Sequence, residues 1–110
     1  MEYQATAKYL RISTRKVRLL TDQIRTMKPE NAMRSIKALP NRASKFLSDV
    51  IASALANAKQ KNADTGSLRF KTIEVMGASF MKRMRAVSKG QGHAYKKRMT
   101  HIRVILFDER

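Results

Sequence analysis

The chain has 110 residues, 43% of them hydrophobic, which suffices for one domain with a single modest core. Its 24 Lys and Arg against 8 Asp and Glu give a formal net charge of +16, far beyond the magnitude of about 2 to 8 that keeps a small domain in solution; such an excess is the footprint of a polyanionic partner, nucleic acid first. The absence of cysteine excludes disulfides and thiolate metal sites, and His93 and His101, set apart and without neighbouring carboxylates, leave no zinc site.

No run of about 18 apolar residues is available to span a bilayer, and the N-terminus lacks the charged start and apolar centre of a signal peptide. The expectation is a soluble chain, without a membrane partner, that stays in the compartment where it is made.

Residues 1–12 alternate as a strand, with Tyr3, Ala5, Ala7 and Tyr9 on one side and Gln4, Thr6 and Lys8 on the other. Ser13 stands where an N-cap is wanted, and Val17, Leu20, Ile24 and Met27 follow at helical spacing. The other face of that helix carries Arg15, Arg18 and Arg25 around Asp22, a pattern that suits a solvated face as well as a binding one. Pro29 starts a second helix with Glu30 at its positive end, an inner stripe of Ala32, Met33, Ile36 and Leu39, and Pro40 as its stop.

Asn41 is placed to cap the strongest periodic segment, in which Ala43, Phe46, Leu47, Val50, Ile51, Ala54, Leu55 and Ala58 form two adjacent apolar rows. This is the expected central core helix. Ala54 and Ala58 allow close approach, and Asn57 beside them needs a hydrogen-bond partner if buried. Residues 62–66 read as the helix stop and a loop. From Leu68 the period returns to two, with a break in phase near Thr72 that suggests a bulge, and Gly77 marks a second such place.

Residues 75–107 contain no Asp or Glu, while Lys82, Arg83, Arg85, Lys89, Lys96, Lys97, Arg98 and Arg103 are all cationic. The predicted element over 75–103 is a long basic β-hairpin with a Gly90-Gln91-Gly92 turn at its tip, projecting up to ~45 Å at about 3.3 Å per residue. Its return arm, 99–107, alternates Ile102, Val104 and Leu106 against His101 and Arg103, and its far end, with Ile105 and Phe107, is apolar on both faces and belongs inside the domain. A ribbon of that length is not stable alone in water. A polyanion must support it. The fold class is therefore α+β over 1–110, an antiparallel sheet of about three strands packed on three helices, with a protruding hairpin.

Enzymatic readings find little support. The carboxylates are scattered singly, so no acid and base are paired and no catalytic residue is assigned. Gly90-x-Gly92 is a fragment of a phosphate loop without the following helix. No cofactor is implied. Tyr95 and the hairpin methionines Met81, Met84 and Met99 can contact bases, and His101 can meet a phosphate or base edge, although a strand residue in that position is as often structural. With no RRM or KH signature in the sequence, recognition is expected to rest on shape and phosphate.

Ser13-Thr14-Arg15-Lys16-Val17-Arg18-Leu19 resembles the Ser-Pro-Arg-Lys-Val-Arg-Leu signature of the large-subunit ribosomal protein L twenty-two family. Ser53-Ala54-Leu55-Ala56-Asn57-Ala58 resembles its Ser-Ala-x-Ala-Asn-Ala helix, and Met81-Lys82-Arg83 with Arg85, Lys89-Gly90 and Lys97-Arg98-Met99-Thr100-His101-Ile102 are similar to its hairpin arms. The resemblance covers nearly the whole chain, in order. It implies a structural constituent of the large ribosomal subunit that binds ribosomal RNA, helps assembly, touches neighbouring ribosomal proteins, and lines the nascent-peptide exit tunnel with its hairpin, in the cytoplasm or on an organellar ribosome.

The RNA-binding residues so implied are Arg11, Arg15, Lys16, Arg18, Lys82, Arg83, Arg85, Lys89, Lys96, Lys97, Arg98 and His101, with Lys82, Arg83 and Arg85 near the tunnel constriction. Lys89, Gly90, Gln91 and Gly92 form the tip that meets the nascent peptide. Where the family usually has Pro-Arg-Ala-Arg-Gly-Arg-Ala, this chain reads Ala86-Val87-Ser88-Lys89-Gly90-Gln91-Gly92. The competing function is a free-standing basic nucleic-acid-binding protein, chromosomal or regulatory. It would call for a recognition helix or a symmetric dimer surface, and the sequence suggests neither.

Overall fold

The computed structural model describes residues 1–39, 41–77, 81–87, 91–97 and 99–108. In chain order these are β1 (Glu2–Leu10), α1 (Thr14–Ile24), α2 (Pro29–Lys37), α3 (Arg42–Gln60), a 3-10 turn (Thr65–Ser67), β2 (Leu68–Gly77), β3 (Met81–Val87), β4 (Gln91–Lys97) and β5 (Thr100–Asp108). The expected α+β class holds. One sheet has the antiparallel order β1-β5-β2; among the described residues β3 and β4 pair with each other as a two-stranded ribbon.

The last strand of the chain is thus the centre of the sheet. Its alternation explains why: Ile102, Val104 and Leu106 are fully buried, while Ile105 and Phe107, on the other face, are half-buried. Against the inward row pack Tyr3, Leu68, Ile73 and Val75 from the flanking strands and Leu47, Ile51, Ala54 and Ala58 from α3. Each fully buried Leu or Ile stabilises the fold by about 1.5–3 kcal/mol, and the two rows on α3 concentrate that burial along one helix. Asn57 is exposed rather than buried, and its amide donates to the Gln4 carbonyl at 2.8 Å, which holds the C-terminal half of α3 on β1.

The phase break in β2 is a bulge. Phe70 pairs with Leu106 and Thr72 with Ile105, so Lys71 is the extra residue, and Leu68 upstream and Ile73 and Val75 downstream all face inward despite their change of parity. Lys71 itself is exposed and forms an ion pair with Glu2 of β1 across the central strand. No second bulge falls at Gly77, which pairs in register with Thr100 at the end of β2.

Other expectations need correction. Ser13 and Asn41 occupy the N-cap positions but make no side-chain cap bond. The Ser44 hydroxyl closes the corner before α3 instead, donating to the Leu39 and Asn41 carbonyls. Met27 and Leu39 lie beyond their helix ends: Met27 is only partly buried, and Leu39 is 39% exposed, since α2 stops at Lys37 before a third turn can carry it inward. Pro40, expected as that stop, lies outside the described residues. Tyr9 does not share the inward face of Tyr3: the pairing of β1 with β5 slips between Ala7 and Leu10, and Tyr9 is turned to the surface.

In β3 and β4, pairing runs from Met81 opposite Lys97 to Val87 opposite Gln91. Gln91 and Gly92 therefore belong to a paired strand and not to the turn, because their backbone continues the ladder opposite Val87 and Ala86. From Gly77/Thr100 to Met81/Lys97 the outgoing arm spends one residue more than the return arm, so the hairpin is two ladders in different register rather than one. The molecule measures 64 × 24 × 18 Å with a radius of gyration of 17.0 Å, against about 13 Å for a compact chain of this length. The ribbon stands off a small body.

Candidate nucleic-acid interface

Electrostatics begin with where the few carboxylates go. Glu2 pairs with Lys71, Asp22 with Arg25 at 3.5 Å, and Glu74 with Arg103 at 3.2 Å, directly opposite in the register. Asp64 accepts the Gly66 N–H and shapes the 3-10 turn. Glu2, Asp22 and Glu74 are thus held by the body's own cations, and among the described residues no acid pairs with Arg11, Arg15 or Lys16, all three exposed.

The expected cluster around Asp22 on α1 is not one group. Arg25 alone pairs with Asp22, and its guanidinium also donates to the Ile73 carbonyl at 3.2 Å; Arg18 donates to the Val75 carbonyl at 3.0 Å. Both arginines bridge α1 to β2. Arg18 is thus engaged in holding the fold, while Arg15 remains free for a ligand.

Arg11 and Lys16 come together with Arg42, Ser13, Leu19 and Asn41 around an open groove of about 780 Å³, lined by no acid. Both α1 and α3 begin here, so the partial positive charge of two helix starts adds to three cations. Leu19, 64% exposed, gives the groove an apolar wall. Arg42, whose guanidinium lies 5.6 Å from the Phe46 ring centroid, is missing from the sequence-predicted set. Its distance along the chain from Arg11 hid it; only the packing of α1 against α3 makes the two neighbours.

The corner where β1, α1 and β5 meet is built tightly. The Ile12 N–H donates to the Leu10 carbonyl at 2.9 Å, and the buried Thr100 hydroxyl donates to the Ile12 carbonyl at 2.6 Å. Just before it the pairing of β1 slips: Ala7 faces Ile102 and Leu10 faces Thr100, so Lys8 and Tyr9 together face His101. Tyr9 has φ 57, the left-handed region, which costs a residue with a Cβ about 1–2 kcal/mol. Its N–H donates to Nδ1 of His101 at 3.1 Å, the two rings meet edge to face with centroids 4.7 Å apart, and the tyrosine is 57% exposed. His101, a predicted site residue, thus has beside it an aromatic that alternation had placed on the same side as Tyr3, Ala5 and Ala7.

The ribbon carries most of the predicted site. Lys82 stands opposite Lys96, Arg83 opposite Tyr95, Arg85 opposite His93, and Lys97 opposite Met81. Lys89, Gly90 and Arg98 lie outside the described residues. No group of His and acidic residues that could hold a metal ion occurs among the described residues, and no helix is long and apolar enough to cross a membrane.

A small cationic α+β body with a paired ribbon projecting from the base of its sheet defines a recognisable class of domain. The chain matches the family model for ribosomal protein L22p/L17e over residues 5–107 and belongs to that family. It is 39% identical over 107 residues to the large ribosomal subunit protein uL22 of Desulfotalea psychrophila, covering 96% of this chain and 97% of the relative. It is 44% identical over the same length and coverage to the uL22 protein of Syntrophus aciditrophicus, and 35% identical over 111 residues, 100% of each chain, to that of Geotalea uraniireducens. The family is one of structural ribosomal proteins rather than enzymes, and this chain is a structural protein of the large ribosomal subunit.

Proposed function

We propose that the protein binds ribosomal RNA of the large subunit, assists assembly of that subunit, and extends its ribbon so that the tip, with Lys89, Gly90, Gln91 and Gly92, lines the nascent-peptide exit tunnel. The carrying observation is the division of charge: the described acids that form ion pairs are matched to cations of the body, and the projecting ribbon holds Lys and Arg with no acid of its own. Such a ribbon repels itself unless enclosed by phosphate. Lys82, Arg83, Arg85, Lys89, Lys96, Lys97 and Arg98 are its phosphate-contacting residues, and Arg11, Arg15, Lys16 and His101 extend the contact over the body. The tip meets the nascent peptide, and neighbouring ribosomal proteins border the globular part. The site of action is the ribosome of the cytoplasm.

Sucrose-gradient sedimentation of cells expressing the tagged chain tests this directly. The parent should co-sediment with large subunits and crosslink to their RNA; Arg83→Glu should reduce incorporation severalfold while the melting temperature of the free protein moves by no more than about 2 °C, as for a surface substitution. Equal incorporation of the variant, or a parent absent from large subunits, would overturn the proposal.

A further inference from the structure

Tyr9 is an aromatic that the fold turns outward against its own pattern. Alternation from Tyr3 points it into the core, yet a bulge and a left-handed backbone bring it to the surface, where 57% of it is exposed. It is also fixed there. Its N–H is held by Nδ1 of His101 at 3.1 Å, and the His101 ring braces it at an interplanar angle of 85°. Two rings set perpendicular cannot cover each other's faces, so at least one face of the tyrosine stays clear of His101.

A strained aromatic held at the surface asks what lies against it. Its surroundings decide the kind of partner: Lys8 in the same bulge and Arg11 beyond it are exposed cations, and Leu10 between them is only partly buried. An apolar protein contact would want a continuous apolar patch. A flat ring flanked by cations suits instead a base whose phosphates they neutralise. With Nδ1 of His101 accepting the Tyr9 N–H, the proton of the neutral imidazole sits on Nε2, which is left as a donor.

From this we infer that Tyr9 and His101 form a stacking site for a single unpaired base of RNA at the foot of the ribbon, Tyr9 supplying the ring face and His101 Nε2 a hydrogen bond to the same nucleotide. The inference rests on the RNA-binding reading above and adds a site for one base to what was otherwise contact with phosphate.

The test uses the full chain and large-subunit ribosomal RNA transcribed with 4-thiouridine, photocrosslinked and mapped by mass spectrometry, beside affinities for Tyr9→Phe and Tyr9→Gly. Nucleotide adducts should map to the peptide holding Tyr9. Y9F should bind within about twofold of the parent, and Y9G, which keeps the left-handed backbone without strain, should bind roughly 10-fold more weakly. Its melting temperature should hold or rise and its dependence of affinity on salt should be unchanged, since every phosphate-binding cation is kept. A purely structural tyrosine would lower the melting temperature and leave affinity alone. Parent-like binding by Y9G, or a ribosomal protein rather than RNA against Tyr9 in assembled subunits, would overturn the stacking site. A parent that fails to bind the RNA at all would overturn the RNA-binding reading with it.

Discussion

The guanidinium of Arg18 donates to the Val75 carbonyl at 3.0 Å and that of Arg25 to the Ile73 carbonyl at 3.2 Å, so one cation of α1 and one at its C-cap hold consecutive inward-facing residues of β2 in place. A partly exposed hydrogen bond of this kind contributes about 1 kcal/mol. Arg15, a turn away on the same helix, is exposed and pairs with no acid among the described residues. Arg18→Ala should therefore lower the stability of the free protein by about 1 kcal/mol in denaturant unfolding, whereas Arg15→Ala stays within about 0.5 kcal/mol of the parent. The order should reverse in RNA titrations. Arg15→Ala should lower the slope of log affinity against log salt by about 1, as expected when one phosphate is no longer neutralised. Equal losses of stability from the two substitutions would mean that the bonds to β2 do not hold the helix.

The end of α3 shows what an element needs beyond its periodicity. Asn62 has φ 61, its N–H donates to the Lys59 carbonyl at 3.0 Å, and the Ala63 N–H reaches back to Ala58 at 3.1 Å, with Ala63 packed on the core. This is a Schellman closure with asparagine in the left-handed position. Asn62→Gly should leave stability within about 0.5 kcal/mol of the parent, and Asn62→Val should lower it by about 1–2 kcal/mol, because a β-branched residue resists that backbone. Thermal melts that fail to separate the two would deny the closure its role. The stop at residues 62–66 was legible because Asn and Gly announce it, as the two apolar rows announced α3 and the parity change at Thr72 announced a bulge. Tyr9 was not legible. A period-two pattern assumes one residue per pairing position, and the slip opposite His101 is set by the partner strand, about ninety positions away. The Arg18 and Arg25 bonds and the meeting of Arg11 with Arg42 escaped for the same reason: long side chains reach partners that only tertiary packing supplies. The ribbon was visible as an acid-free stretch, but its division into two ladders was not, since the pattern reports charge and not register.

At the scale of the molecule, stability and charge occupy different places. The body has a core of its own that runs from Tyr3 to Leu106. The body closes its own sheet at Gly77 and Thr100 before the ribbon begins. Cutting the ribbon should then cost binding and not folding. Replacing residues 81–97 with a short Gly/Ser turn should leave the melting temperature within about 4 °C of the parent, a change of no more than about 1 kcal/mol for a domain of this size. The same deletion removes Lys82, Arg83, Arg85, Lys89, Lys96 and Lys97, and every phosphate thereby left without its cation should flatten the salt dependence of RNA affinity by about 0.9 for a duplex site or about 0.7 for a single strand. What binding remains should depend on the body alone, and there Lys16→Gln or Arg42→Gln, at the groove between α1 and α3, should weaken it further. If the deletion unfolds the protein, the ribbon is part of the core. If it folds and binds RNA with the parent's salt slope, the charge of the ribbon answers to something other than phosphate.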